Sequence, residues 1–439
     1  MTLRRSLGTL TLAAVMFFNT SGGAFSMEGL VASVGPGVAL LLLVLVPIFW
    51  SIPETMLIGE LASMLPEEGG YYRWVRRAFG PFWSFQNGWC TWCYSLVDMA
   101  IYPVLLNQYL AFFFPALSHP QQWAISLVMI WGATAINLRG AGRVGQVSVV
   151  AAGIILATFL AITLTAIPRM THVPWLPFAK PGATPFGALG VGLSTVLWNY
   201  LGWDNASTVG GEIRDASRTY PRALAVALTV VTAGYLLPVS ASLAATDWTT
   251  WTSGGWPAIA RTSGGAFGPF LSIAVAVAGI VSAMALFNAL LLAYSRIPLA
   301  MSLDGLLPSS LSTLDARGNP SRAVLVSAIC YSAFALLPFS QLVVADVVLY
   351  SMAMAMEFGA LLQLRRTEPT LRGAFRLPVG AGGIAVLAAM PMLILGLTIW
   401  LSVRDGQLGA AAVFGAIGAA ALGPFLYRAT PYARGRLVA

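Results

Sequence analysis

The chain has 439 residues, of which 58% are hydrophobic and only 9% charged, with a formal net charge of +8 and a mean hydropathy of +0.78. Soluble domains carry about 25% charged residues, so a string of soluble domains is excluded and a polytopic membrane protein is expected. The 24 basic residues form no patch or tail that would suit nucleic acid; they recur in small groups between apolar runs, as topology signals do.

At the N-terminus, Met1 to Phe25 carries Arg4 and Arg5, a short apolar run and then small residues, the outline of a secretory signal. The apolar stretch Leu7 to Phe18 resumes at Ala24 to Val34 with no mature-domain composition after it, so it reads as an uncleaved first span. Runs of about 20 apolar residues predict twelve spans, at 6–34, 36–63, 81–113, 121–138, 143–167, 185–210, 222–245, 268–301, 322–338, 341–364, 379–402 and 408–428. Internal prolines such as Pro53, Pro103, Pro238 and Pro298 are tolerated in lipid where neighbours satisfy the freed carbonyls.

The first span is interrupted at Thr20-Ser21-Gly22-Gly23, and the sixth reads LWNYLGWDNASTVGGE, Leu197 to Glu212. Interruptions in matching positions of two halves point to a transporter site. They lie about 182 residues apart, and the pentapeptide AFGPF opens span three at Ala78 and span eight at Ala266, 188 residues later. These offsets predict that spans one to five and six to ten are two copies, inverted because each copy has an odd number of spans. TSGGAF also recurs at Thr262 in an outer loop, so that motif signifies only where it interrupts a span.

Between the spans, PEEGGYYRWVRRAFGP (Pro66 to Pro81) reads as an amphipathic helix on the inner face that braces span three. Cys90 and Cys93 have a redox-like spacing but lie inside span three, where they read as small helix residues; Cys330 is alone in span nine. His119 and His172 fall in outer loops, which excludes a buried base or metal ligand. Trp248, Trp251 and Trp256 belong to a long outer loop, expected as a lid at the interface. With a cytoplasmic N-terminus the inner segments hold 20 Arg residues and the outer ones only Arg169, Lys180, Arg261 and Arg404, so both termini are expected inside.

An unwound stretch within lipid exposes main-chain groups at a cost of several kcal/mol each, so each break is expected to line a cavity. Gly22 and Gly23 permit positive φ and close approach of a ligand. The N–H groups at the start of the following half-helix suit a carboxylate, and the carbonyls ending the preceding one suit an ammonium; packing of the glycines against a neighbouring helix is the plainer alternative. Six carboxylates fall inside the spans: Glu28, Glu54, Asp98, Asp204, Asp346 and Glu357. Intramembrane acids usually line a pathway or relay protons. Glu28, Asp98, Asp204 and Glu357 are the candidates, with Asp98 and Tyr102 four apart on one helix face. Asp346 is expected near the outer boundary and solvated, and Glu54 to pair with main chain beside Pro53. Glu60 and Glu212 are expected near the inner face, paired with Arg73 or Arg214, as helix-end pairs or an inner gate.

The segments SGGAFSMEGLVASVGP, FWSIPETMLIGELASMLPEEGGYYRWV, FGPFWSFQNGW, VDMAIYPV, WNYLGWDNASTVGGEI and LYSMAMAMEFGALLQLR resemble the amino acid–polyamine–organocation transporters, nearest the polyamine-uptake and L-type amino acid branch. The resemblance runs from about Ser6 to Arg376. It implies an all-α fold with a five-plus-five inverted-repeat (LeuT-like) core, two extra helices and alternating access, the substrate lying between spans one, three, six and eight. It implies substrate contact by the main chain of Ser21, Gly22, Gly23, Ala24, Leu201 and Gly202, a lid role for Trp198, and an acidic position at Asp204. After GE this chain reads IRDAS, not the Asn-Pro usual in relatives. Span five lacks the lysine that replaces sodium in some proton-driven relatives, which leaves the coupling ion open. The loop near His119 has no cysteine, so the disulfide-linked partner subunit of animal L-type relatives is not expected.

The domain reading is an inverted-repeat core over 1–378, with repeats at about 6–167 and 185–364, followed by two further helices and a cytoplasmic tail over 379–439. The functional reading is a secondary-active, proton-coupled transporter of a small amine-bearing solute in the plasma membrane. The alternative is an amino acid exchanger or permease that binds a zwitterion, and a remoter one is a solute sensor that does not transport. Candidate substrate-binding residues are Ser21, Gly22, Gly23, Ala24, Glu28, Asp98, Tyr102, Trp198, Leu201, Gly202 and Asp204; Asp98, Asp204, Glu212 and Glu357 are the coupling or gate candidates. No enzyme activity, cofactor, metal or nucleic-acid partner is expected.

Overall fold

The structure, a computed structural model, describes residues 5–182, 185–334, 342–404 and 409–435. Arg4 and Arg436 of the charge pattern, and the predicted span ends within 335–341 and 405–408, lie outside the described residues. Among the described residues the regular structure is helical apart from two isolated β-bridges, Leu7 with Ile213 and Glu68 with Val209.

The chain begins with α1 (Thr9–Thr20), α2 (Met27–Val34), α3 (Pro36–Val46), α4 (Ile52–Met64) and α5 (Gly70–Phe79). Then come α6 (Pro81–Leu110), α7 (His119–Asn137), α8 (Ala141–Ala166), α9 (Pro185–Trp198) and α10 (Ala216–Ala245). The remainder is α11 (Trp256–Ser263), α12 (Gly268–Tyr294), α13 (Arg296–Leu303), α14 (Ser321–Phe334), α15 (Leu342–Thr367), α16 (Ala381–Arg404) and α17 (Gly409–Ala429).

Local sequence explains the junctions. Gly80, at φ +84°, ends α5, and Pro81 opens α6 where an N–H would have no partner. Pro53 has no N–H to give to the carbonyl four residues back, and the chain between α3 and α4 widens into a π-helical turn at Pro47–Ser51. Helix α5 is the expected amphipathic one. It buries Tyr71, Tyr72, Trp74 and Val75 against α6 and α15 and leaves Arg73, Arg76 and Arg77 less covered.

Seven helical segments among the described residues are long and apolar enough to cross a membrane, including Pro36–Met64, Pro81–Leu110 and Gly265–Leu303. Large apolar side chains such as Leu160, Leu164, Phe270 and Leu393 point outward, a surface that suits hydrocarbon rather than water. Inside, α1 packs on α8, α10 and α12, while α6 packs on α12 and α15. Helix α9 packs on α2, α3, α15 and α16.

Candidate functional site

Helix α1 stops where the sequence turns polar. Ser21 and Gly22 both donate main-chain N–H to the Phe17 carbonyl, at 2.8 and 3.1 Å, and the chain resumes as a helix only at Met27. Gly22 and Gly23 have φ of +68° and +109°. A Cβ on Gly22 would stand 2.6 Å from Ser282 Oγ, whose hydroxyl donates to the Gly22 carbonyl. Helix α9 stops at Trp198, and the chain reaches α10 through short 3-10 turns at Asn205–Thr208 and Gly210–Glu212. The two breaks touch, since a Cβ on Gly202 (φ +94°) would run into the Asn19 carbonyl oxygen. Freed carbonyls at the second break are served by phenols: Tyr235 donates to Asn199 O at 2.8 Å and Tyr220 to Trp203 O at 3.2 Å.

A small cavity opens where the breaks meet α6, α12 and α15, with about 30 Å³ open to the centre of a water molecule, space for about two waters. Asp98 lies in its wall, accepting from Tyr102 (2.7 Å, Oδ1) and Tyr294 (2.8 Å, Oδ2). Four buried polar side-chain atoms of lining residues have no partner: Asn19 Oδ1 and Nδ2, Thr20 Oγ1 and Asp346 Oδ1. Such atoms cost about 1–3 kcal/mol each when nothing meets them, so the residues around the cavity carry unmet polar demand.

Asp346 is therefore not the solvated boundary residue the sequence suggested; it is 3% exposed and lines the cavity, because the start of α15 points inward. Glu54 is corrected too. Its partner is the Tyr350 hydroxyl at 2.6 Å, not the main chain beside Pro53. Tyr350 also lies 2.7 Å from Asp204 Oδ1 and accepts Gly202 N–H at 3.1 Å.

The two ends of the site are closed differently. At one end, Trp256 Nε1 donates to the Ala24 carbonyl at 2.7 Å, and Glu28 Oε1 accepts from the Tyr109 hydroxyl and from Gly254 N–H. Trp251 and Trp256 are buried rather than spread at an interface, so two of the three expected lid tryptophans plug the molecule. At the other end Arg296, wholly buried, meets Glu212 at 2.8 Å and Glu68 at 3.6 Å. The expected partners of the inner acids were wrong: Glu60 pairs with Arg365, Glu212 with Arg296, and Arg73 with Asp304. Each true partner comes from a distant part of the chain that sequence spacing does not reveal.

Of the sequence candidates, Ser21, Asp98, Tyr102, Trp198, Leu201 and Gly202 come together at the cavity. Gly22, Gly23 and Ala24 shape the break behind it, and Glu28, Asp204, Glu212 and Glu357 do not line it. Glu357 accepts from Asn87 Nδ2 at 3.5 Å. The reading missed Tyr294, Asp346 and Tyr350; for Asp346, its carboxylate within an apolar run was the available signal. Cys90 and Cys93 carry free thiols on α6, in keeping with small helix residues.

The sequence profile of the amino acid permease family matches residues 7–416. The chain is 33% identical over 415 residues to polyamine transporter PUT1 of Oryza sativa subsp. japonica, covering 93% of this chain and 77% of that one. It is 33% identical over 396 residues to polyamine transporter RMV1 of Arabidopsis thaliana, covering 89% and 80% respectively. It is 26% identical over 334 residues, 70% of each chain, to the branched-chain amino acid permease BcaP of Lactococcus lactis subsp. cremoris (strain MG1363).

Proposed function

The chain belongs to the amino acid permease family, and from that premise we propose that it is a secondary-active transporter moving a small cationic amine, a polyamine ahead of an amino acid, by alternating access coupled to protons. The observation that carries this reading is the acidic lining of the cavity. Its ionisable acid and base groups among the described residues are Asp98 and Asp346, with no Lys, Arg or His beside them. An ammonium brings three donors and no acceptor, which suits Asp346 Oδ1, Asn19 Oδ1 and Thr20 Oγ1, all without partners. A substrate carboxylate is served less well. The N–H groups of Ser21 and Gly22 are taken by Phe17 O, that of Gly23 by Ser21 Oγ, and that of Gly202 by Tyr350. The names of PUT1 and RMV1 favour the same substrate class.

In this reading Asp98 anchors the ammonium, Tyr102 and Tyr294 hold its carboxylate in place, and Ser21, Trp198, Leu201 and Gly202 form the wall. Gly22, Gly23 and Ala24 shape the break, and Glu28 clamps the lid segment. Asp204 and Glu357 belong to coupling, and Glu212 with Arg296 to a gate. The architecture we propose is twelve spans with both termini cytoplasmic in the plasma membrane, repeats over about 6–167 and 185–364 within a core of 1–378, and two added helices over 379–439. Support comes from the paired interruptions after α1 and α9 and from the AFGPF segments leading into α6 and α12.

The test is uptake of radiolabelled putrescine into proteoliposomes under an imposed pH gradient. Saturable uptake that spermidine competes away, that neutral amino acids leave intact and that survives replacement of sodium is expected. Full competition by neutral amino acids would transfer the assignment to a zwitterion carrier.

A further inference from the structure

Behind the cavity wall, two carboxyl groups meet at one phenol. The Tyr350 hydroxyl oxygen lies 2.6 Å from Glu54 Oε1 and 2.7 Å from Asp204 Oδ1, and it accepts Gly202 N–H. A phenol has one proton to donate. It satisfies one carboxylate; the other, at the same range, would set lone pair against lone pair unless it brought a proton of its own. The trio therefore holds two protons among three groups. Neither carboxylate oxygen of Asp204 is both buried and unpartnered, which suits an anion. Glu54 is wholly buried and its second oxygen, Oε2, has no partner. An orphaned oxygen is far cheaper on a neutral acid than on a carboxylate. The chain of donors thus runs from Glu54 to Tyr350 to Asp204.

The surroundings reinforce this assignment. The groups that face the trio are Glu357 from α15, Tyr94 from α6, Tyr71 from α5 and Tyr220 from α10. Tyr220 donates to the Asp204 and Trp203 carbonyls, and Glu357 is met by Asn87. None of these groups is basic, so no cation among the described residues there would stabilise a second anion.

We propose that Glu54 is the proton-carrying group of the transporter, a neutral acid while the site is closed, deprotonated when the Gly202–Asp204 segment leaves Tyr350. The inference rests on the transport reading above and adds the residue that exchanges the proton. Tyr350 and Gly202 both line the substrate cavity, so a displacement of the second break by substrate reaches Glu54 through a single hydroxyl. On opening, Tyr350 loses the anion that draws its proton and the Gly202 N–H. The Glu54 O–H bond then breaks, the proton passes to water admitted to the site, and no electron is transferred. Asp98, with a phenol on each oxygen, carries the substrate's charge; Glu54 carries the coupling proton.

The experiment compares the wild-type full chain with Glu54→Gln and Tyr350→Phe in liposomes. Glutamine keeps the shape and a donor to Tyr350 but has no proton to lose. Accumulation of putrescine down a pH gradient is expected to drop about tenfold more than putrescine–putrescine exchange does, as for loss of an intramembrane proton carrier, with fewer protons moved per putrescine. Glu54→Gln that accumulates putrescine with the wild-type proton count overturns the proposal. An infrared difference spectrum of the purified proteins supplies a readout independent of transport. A protonated-carboxyl band that disappears in Glu54→Gln and shifts in Tyr350→Phe supports the assignment, and a band unchanged in both overturns it. If the wild type exchanged no putrescine, the transport reading would fall, while the infrared result would still decide where the proton sits.

Discussion

Two phenols converge on Asp98, one from four residues along its own helix and one from α12. An asparagine there can accept on one side only and carries no charge. Asp98→Asn is expected to weaken putrescine binding about 10–100-fold, the loss of a charge-assisted hydrogen bond of about 1.5–3 kcal/mol, while leaving the melting temperature nearly unchanged. Binding by isothermal calorimetry alongside thermal unfolding checks both halves. Gly202 is constrained for a different reason: its positive φ and the Asn19 carbonyl against the place of any Cβ leave no room for a side chain. Gly202→Ala is expected to destabilise the protein by about 1–3 kcal/mol, read as a lowered melting temperature, and to abolish uptake because the two breaks no longer fit together. The Asp98–Tyr102 pair was legible in the sequence because helical spacing places residues four apart on one face. Tyr294 and Asp346 were not, since their approach to Asp98 depends on how α12 and α15 pack.

At the level of elements, the amphipathic α5 shows how far pattern reaches. Its apolar face follows from the period of GYYRWVRRAF, but its tether does not: Arg77 binds Glu368, just past α15, at 2.9 and 2.6 Å. Arg77 holds the Glu368 carboxyl below its ordinary value, chiefly through the side-chain hydrogen bond. A carboxyl depressed on folding adds stability that is fully present above its unfolded value, near pH 4.3, and lost as pH falls through the folded value. The side chains are 43% and 32% exposed, so the contribution is screened to about 0.2–1 kcal/mol. The small gap in melting temperature between wild type and Glu368→Gln is expected to close as pH falls below the ordinary carboxyl range and through the folded value, and to shrink with added salt.

For the molecule as a whole, contacts between distant segments cross both ends of the site, and the cavity between them has room for about two waters. Entry of substrate therefore requires one end to part. The Trp256–Ala24 contact closes one end and the Arg296–Glu212 pair the other. Arg296→Ala strands a buried Glu212 and is expected to destabilise the protein by about 3–5 kcal/mol. Removing both charges in Arg296→Met/Glu212→Gln is expected to cost much less, so a double-mutant cycle on thermal unfolding should show strong coupling.

The amino-acid sequence alone determined that the chain is helical and membrane-embedded, where its apolar runs begin and end, and that two of them break, at Thr20–Gly23 and within Leu197–Glu212. Those properties depend on hydrophobic run length and on glycine and hydroxyl residues acting within a few positions of themselves. Tertiary structure alone decided which acids meet: Asp346 with Asp98 around one cavity, Glu54 with Asp204 across Tyr350, and Glu212 with Arg296 instead of Arg214. Carboxylates on different helices find their partners by packing, and packing is set by the shapes of whole helices rather than by the spacing of residues along the chain.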